Sequence, residues 1–313
     1  MIENLDADRL LAGPLGEWLH GQASVRQEAA AKSNKRFLIA GAVIVPVLLL
    51  MIVTMGPGLV FFVGMVGAIG GGIWAYNPRA KAIKAVKVGI NQAIARAVGV
   101  NYAETGPSHD VYQRCCAHNM FPTHNRQAFE DFWTGEVEGH SFRLFEAHLQ
   151  METKDSKGRT SRTTKFRGPL LEIGFSRKFH GTTLVTRDGA HRRFFIGGRK
   201  DTINLRGKKL DIAEMVNPEF EDAFDVYSDD QVEARYLVHP DYCEQLIAME
   251  RAFAGKKVKA LFCEGKLTVI LEAKQLFESG GMDAGRDREK LEMTLNQFRS
   301  LAQLAITLNE PAR

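Results

Sequence analysis

Residues 37–76 contain no Lys, Arg, Asp, Glu or His. So long an uncharged run exceeds one membrane helix and suits two at ~20 residues each. The pattern predicts a first span over 37–55, where a dozen or so Val, Leu, Ile and Phe outweigh the single Pro46, each favouring insertion by ~0.3–0.6 kcal/mol. A second span over 59–76 is weaker. Its Gly64, Gly67, Gly70, Gly71 and Gly72 add little transfer free energy, and ~27 Å of helix only just crosses the hydrocarbon. The same glycines form small-residue faces, Gly64 with Ala68 and Gly72, and Gly67 with Gly71, on which another helix can approach closely. Gly56-Pro57-Gly58 becomes the bend between two passes, with Trp74 and Tyr76 where aromatic rings favour the interface.

After the apolar block the period changes. Asn77-Pro78 reads as a cap and first helical residue, restarting a helix with Ile83, Val86, Ile90, Ile94 and Val98 on one stripe and Lys81, Lys84 and Lys87 opposite. The stretch to about Asn125 is turn-rich and reads as a linker or irregular cap. Alternation begins near residue 135. Phe145, Ala147, Leu149 and Met151 interleave with Glu146, His148, Gln150 and Glu152, as a sheet with one buried face requires. Asp188-Gly189 and, more weakly, Glu264-Gly265 are two-residue hairpin signals. Between them Tyr242, Leu246, Met249 and Phe253 mark one face of a helix that stops at Gly255. A Gly-rich gap, "ESGGMDAGRD", precedes a last helix with Leu291, Leu295, Phe298, Ala302 and Ala305 at helical spacing. That stripe has to be covered; packing back on its own domain is the favoured reading, pairing with a partner or second copy the alternative.

Charge refines this picture. Arg26, Lys32, Lys35 and Arg36 precede the apolar block, and Arg79, Lys81, Lys84 and Lys87 follow it, so positive flanks put both ends on the cytoplasmic side. The expected interface residues are Lys35, Arg36, Trp74, Tyr76, Arg79 and Lys81. A cleaved signal peptide is the competing account, but the block is about twice the usual length and lacks an A-x-A-like site. In a reducing compartment Cys115, Cys116, Cys243 and Cys263 are expected as thiols. The net charge of +4 hides an asymmetry: residues 154–209 hold 16 Lys and Arg against four acids, and 211–250 hold 12 acids and one Arg. Pairing between the two stretches is the sober reading; the basic "KDSKGRTSRTTKFR", read as a flexible loop, could also attract anionic lipid. Nucleic acid is disfavoured, because no aromatic-and-basic platform accompanies the charge.

Candidate chemistry is sparse. No G-x-S-x-G elbow, H-E-x-x-H helix, EF-hand loop or P-loop occurs, and no cofactor fingerprint does. Cys115, Cys116, His118 and His124 are able to hold a soft divalent metal, though their spacing fits no familiar zinc pattern. Asp229, Asp230, Glu233 and His239 could supply acid–base chemistry; a helix start that favours negative charge explains the acids better.

The segments "FEDAFDVYSDDQVEARYLVHPDY", "FRGPLLEI", "FRLFEAHL" and "VKALFCEGKLTVIL" resemble a family of bacterial membrane proteins catalogued as a domain of unknown function. The resemblance covers about residues 36–278 and implies a two-helix membrane hairpin followed by a cytoplasmic domain, with no activity attached. Its pattern falls on Glu146, Phe166, Arg167, Gly168, Phe224, Val226, Tyr227, Ser228, Asp230, Glu233, Ala234, Arg235, Tyr236 and Pro240. Ser228 reads as a helix N-cap with Asp229 and Asp230 in the first turn, a folding role. A ligand role needs Tyr227, Asp230, Glu233 and Arg235 to converge on a pocket.

The expected architecture is therefore α+β: a cytoplasmic segment 1–36, a transmembrane hairpin 37–76, a juxtamembrane amphipathic helix 77–100, a cytoplasmic domain 101–278 of antiparallel strands with packed helices, and a linker with C-terminal helix 279–313. The expected location is the inner membrane of a bacterium. The expected role is an interaction or scaffold module with the lipid bilayer and a protein partner or second copy as its contacts. An enzyme or sensor acting on a lipid headgroup or small ligand is the rival. A deep pocket with clustered titratable groups distinguishes the rival from a scaffold.

Overall fold

The computed structural model describes residues 6–54, 57–107, 109–175, 178–187, 201–215, 218–252, 256–273 and 276–309. The Asp188-Gly189 hairpin, Gly56 of the expected bend, Phe253 and Gly255 lie outside them. The chain divides into two compact units. One comprises Asp6–Ala93 with Glu278–Glu292, the other Ile94–Phe277 with the chain from Met293 onward.

The first unit is built on two long helices, α2 (Pro14–Thr54) and α3 (Pro57–Val98), preceded by α1 (Ala7–Leu11), whose N-cap is Asp6. At 1.5 Å per residue each long helix extends about 60 Å, twice the hydrocarbon thickness. Residues 14–36 therefore continue into the first apolar span as one helix. Likewise Asn77-Pro78 does not restart a helix; Pro78 lies inside α3. A proline there removes the N–H that would serve the carbonyl four residues back, which belongs to Trp74. Arg36 on α2 supplies the missing donor: its Nη1 gives a hydrogen bond to Trp74 O at 3.1 Å, and its guanidinium lies 4.9 Å from the indole centroid.

Gly64 meets Leu48, Gly67 meets Ile44, and Gly71 meets Ile44 and Ala40, so these three glycines form the face on which α2 packs antiparallel to α3. Gly72, grouped by spacing with Gly64, faces open space instead. The Gly-rich stretch expected as a linker packs on the helices. Ser279 Oγ bonds Asn91 Oδ1 at 2.9 Å, a Cβ on Gly280 would fall 2.2 Å from Ile83 O, and Arg26 grips Asp287 through two bonds of 2.8 and 2.6 Å.

Among the described residues of the second unit ten strands form one sheet, in the order β1-β2-β3-β4-β10-β9-β5-β8-β7-β6, with every neighbouring pair antiparallel. They are β1 Asn101–Ala103, β2 Arg126–Val137, β3 His140–Lys154, β4 Thr160–Gly174, β5 Thr183–Arg187, β6 Thr202–Leu205, β7 Lys208–Ile212, β8 Phe224–Ser228, β9 Lys256–Cys263 and β10 Lys266–Glu272. The α+β class follows. One face is covered by α4 (His109–Ala117), whose Val111 and Cys115 join Phe132, Phe145, Leu149 and Leu261 in the core. The other carries α7 (Pro240–Ala252), with Tyr242 on Phe262, and α8 (Asp287–Asn309), whose Phe298 sits 5.0 Å from Trp133 and 5.7 Å from Phe142. The last helix thus packs back on its own domain through Leu295, Phe298 and Ala302.

Three further differences from the sequence pattern have clear causes. The supposed linker before Asn125 contains β1 and α4, too short to register as periodicity. The alternation along β3 marks one buried face, yet Leu144 and Glu146 are buried as well because both faces are covered. The basic "KDSKGRT" run is a β3–β4 hairpin turn rather than a flexible loop, since Asp155 Oδ1 accepts from the backbone N–H groups of Lys157 and Arg159.

Candidate functional site

At one end of the sheet the β6–β7 and β9–β10 turns, the segment leading into β5 and the residue after α4 surround a half-open cavity of about 360 Å³. Cys263 and Glu264 come from the β9–β10 turn, Leu205, Arg206 and Lys208 from the β6–β7 turn, Phe179, His180 and Thr182 from the segment, and His118 from the end of α4. Both turns are two-residue hairpins with positive φ at both central positions: +51° and +78° at Arg206-Gly207, and +56° and +70° at Glu264-Gly265. That is the geometry the twist of paired strands favours. For Arg206, which carries a Cβ, it costs about 1 kcal/mol.

Residues 228–233 brace one wall from behind, through the backbone of residues 180–182. β8 carries Ser228 to the start of α6 (Gln231–Leu237). The N-cap is Asp230, not Ser228: Asp230 Oδ1 accepts from Val232 N and Glu233 N, while Ser228 Oγ accepts from Asp230 N and pairs with Thr183 Oγ1. Glu233 reaches across to accept from His180 N at 2.9 Å and Gly181 N at 2.6 Å, and Asp229 accepts from Thr182 N at 2.6 Å. Three consecutive backbone donors are thereby fixed by two carboxylates. A Cβ on Gly181 would sit 2.5 Å from Glu233 Oε2, so a side chain there would push the carboxylate off its two donors. Asp229 and Glu233 are thus committed to holding the loop and Asp230 to capping α6, and His239 is buried near Asp241. They do not converge as an acid–base set. Nor do Tyr227 and Arg235 join them: Tyr227 is fully buried and Arg235 Nε bonds Glu214 O.

Most of the other matched positions are structural. Phe166, Phe224, Val226 and Ala234 are core residues, and Pro240 opens α7. Arg167 Nε donates to Glu146 Oε1 at 2.7 Å, and Glu146 Oε2 accepts from Leu276 N at 2.9 Å. A Cβ on Gly168 would fall 2.0 Å from Leu271 O. Tyr236 stands outward on α6 with Val232.

On the cavity floor Cys263 Sγ lies 3.8 Å from His118 Nε2, while His118 Nδ1 is 2.8 Å from Arg114 O. A carbonyl only accepts, so Nδ1 bears the proton and Nε2 offers its lone pair to the thiol. Burial pushes the His118 pKa down, the Arg206 charge adding to that, and burial with Glu264 nearby pushes the Cys263 thiol up. The pair is a neutral thiol and imidazole.

The four candidate metal ligands do not gather. Cys115 is in the core, Cys116 is partly buried near Tyr112, His118 faces the cavity, and His124 Nε2 is held by Tyr112 OH at 2.6 Å. Among the described residues no group of three or more His, Cys, Asp and Glu could hold a metal ion. The basic and acidic stretches pair with each other at Arg187–Glu250, Lys208–Asp229 and Lys209–Asp211. Of the interface candidates, Arg36 and Trp74 meet, Arg79 Nη2 bonds Asn34 Oδ1 at 2.8 Å, and Lys35, Tyr76 and Lys81 are exposed.

Residues 164–310 match a family model described as "Protein of unknown function (DUF3137)". The match takes in every pattern residue except Glu146 and includes α8, whereas the resemblance was expected over 36–278. Comparison with curated proteins finds no match. Among solved structures, the crystal structure of the mycobacterial trehalose monomycolate transport factor A, TtfA, aligns over 68% of this chain and 93% of its own, at 11% identity and a TM-score of 0.32. At that score the likeness carries no argument.

Proposed function

We propose that this chain, whose residues 164–310 match the DUF3137 family model, is a membrane-anchored module that holds an α+β unit at the surface of a bilayer. One observation carries the reading: the apolar windows of α2 and α3, with mean hydropathies of 2.2 and 1.4, are 0% and 6% buried. A core helix of a soluble protein buries such a surface. Here Leu38, Leu50, Phe61 and Ile73 are each more than half exposed, and each large aliphatic or aromatic side chain left in water forgoes about 1.5–3 kcal/mol. Hydrocarbon removes that cost, and the two helices satisfy their own backbone groups, as a lipid-facing segment must. The Lys and Arg flanks favour two passes with both ends cytoplasmic, in the inner membrane of a bacterium.

Within that frame the α+β unit acts as an interaction module. α6 presents Val232 and Tyr236 outward one turn apart, an apolar pair suited to a protein partner. The cavity supports a second reading, a sensor or enzyme for a small ligand, because its volume lies at the lower end of the range of ligand pockets and titratable groups line it.

Fractionation tests the anchor. The full chain should sediment with membranes, resist alkaline carbonate and dissolve only in detergent, and a reporter fused after Arg313 should be active in the cytoplasm. Recovery in the supernatant without detergent would overturn the anchor, and an extracytoplasmic reporter would overturn the orientation.

A further inference from the structure

The geometry points to the cavity at the β6–β7 and β9–β10 turns as a binding site for a phosphate monoester, gripped by Arg206 with Lys208 beside it. This rests on the second reading above and names its ligand class.

The charge balance carries the argument. Glu264 is drawn to Arg114 Nε at 3.4 Å, and Asp229 already holds Lys208 Nζ at 3.1 Å. Each of these acids therefore has a cation within reach, Glu264 sharing Arg114 with the buried Glu172. Among the described residues the Arg206 guanidinium makes no hydrogen bond or ion pair, and its field is felt at His118 across the cavity. The turn makes Arg206 more telling. A two-residue hairpin of this type is unstrained with Asn or Gly at its first central position; here the chain places a long cation at φ +51°.

The chemistry of the lining selects the ligand. The backbone donors at 180, 181 and 182 are consumed by Glu233 and Asp229, so an anion must be recognised by side chains. A guanidinium fork fits two oxygens of a phosphate or carboxylate. Lys208 Nζ, already held by Asp229, adds a further N–H donor rather than a net charge, and with the imidazole of His180 it suits the three oxygens of a phosphate monoester better than the two of a carboxylate. Phe179 and Leu205 give the site an apolar wall, so the ester carries an apolar group. A soluble ester and a lipid headgroup such as phosphatidic acid share this chemistry.

Cys263 supplies the reporter. It lines the cavity at 7% exposure, whereas Cys116 lies elsewhere, so labelling of each by N-ethylmaleimide can be followed peptide by peptide in the full chain in mild detergent or reconstituted vesicles. Phenyl phosphate at ten times its Kd should slow labelling of Cys263 about tenfold, saturably, and leave Cys116 unchanged. Arg206→Asn suits the turn and removes the cation; it should fold normally and lose the protection, while Arg206→Lys should keep part of it. Protection by phenyl phosphate marks a soluble ester. Protection by vesicles containing phosphatidic acid, but not by phosphatidylcholine alone, marks the headgroup. Equal protection by phenol would overturn the phosphate class while leaving a ligand cavity. Absence of protection by all these probes would overturn both, as would protection unchanged in Arg206→Asn for the role of Arg206.

Discussion

Replacing Arg167 by methionine probes the buried Glu146–Arg167 pair, because methionine keeps much of the length of the side chain and removes the guanidinium; the other partner released, Glu130 at 3.1 Å from Nη2, is 40% exposed and returns to water. Glu146 is 0% and Arg167 28% exposed at the side chain. Without the guanidinium the carboxylate keeps one donor, Leu276 N at 2.9 Å. Breaking a buried pair by removing one partner costs about 3–5 kcal/mol; the partial exposure of Arg167 lets water approach, so about 2–4 kcal/mol is expected. Burial already raises the Glu146 pKa against the opposing pull of Arg167 and the Leu276 N–H, and the variant should raise it further. A carboxyl whose folded pKa lies above its unfolded value favours the fold at low pH and loses that benefit as pH rises through the folded pKa. The deficit of Arg167→Met should therefore shrink on acidification. The double variant Glu146→Gln, Arg167→Met retains an acceptor for Leu276 N and carries no buried charge, so it should recover about 1–3 kcal/mol relative to the sum of the single changes. Urea unfolding in mild detergent, with Trp18 and Trp74 replaced by phenylalanine, would read Trp133, which packs 5.2 Å from Phe277, the residue after Leu276. A loss below about 1 kcal/mol, or strictly additive single changes, would refute the assignment of this pair as a coupled buried bond.

Other perturbations test separate parts of the structure. Gly168→Ala drives a Cβ into Leu271 O and should cost about 2–4 kcal/mol, whereas Gly158→Ala, in open space at φ +75°, should cost only about 1 kcal/mol; similar urea midpoints for the two variants would contradict the close approach. Arg36→Leu should lower the thermal midpoint in detergent, and should matter much less in a Pro78→Ala background, where residue 78 again offers an N–H to Trp74 O; equal losses in both backgrounds would sink the idea that Arg36 replaces that donor. His118, depressed below its ordinary 6.5 by burial, contributes fully above that value and loses its contribution as pH falls through the lower folded pKa. Wild type should thus lose more stability between pH 7.5 and pH 5 than His118→Asn, as measured by urea midpoints; parallel pH curves would place the ring in a solvated setting.

Much of this architecture follows from sequence alone. The uncharged run at 37–76 demands a nonaqueous setting wherever it folds, because no nearby charge offsets its transfer free energy. Alternation in β3, the Glu264-Gly265 turn and the stripe on α8 are likewise local: period and φ preference are properties of the chain itself. The residue pattern at 224–240 was legible too, but its task was not. Glu233 is 52 residues from Gly181, and Asp229 is 47 from Thr182; neither spacing nor propensity encodes which backbone donors such carboxylates will meet. Gly168 gives no sign in sequence that another strand's carbonyl leaves it no room for a side chain. The cavity likewise joins α4 and two hairpin turns through the order of ten strands, so His118 and Cys263, 145 residues apart, become neighbours only after that sheet is assembled. The continuity of α3 through Pro78 was also decided in three dimensions, where a guanidinium on the adjacent helix supplied the donor that proline lacks.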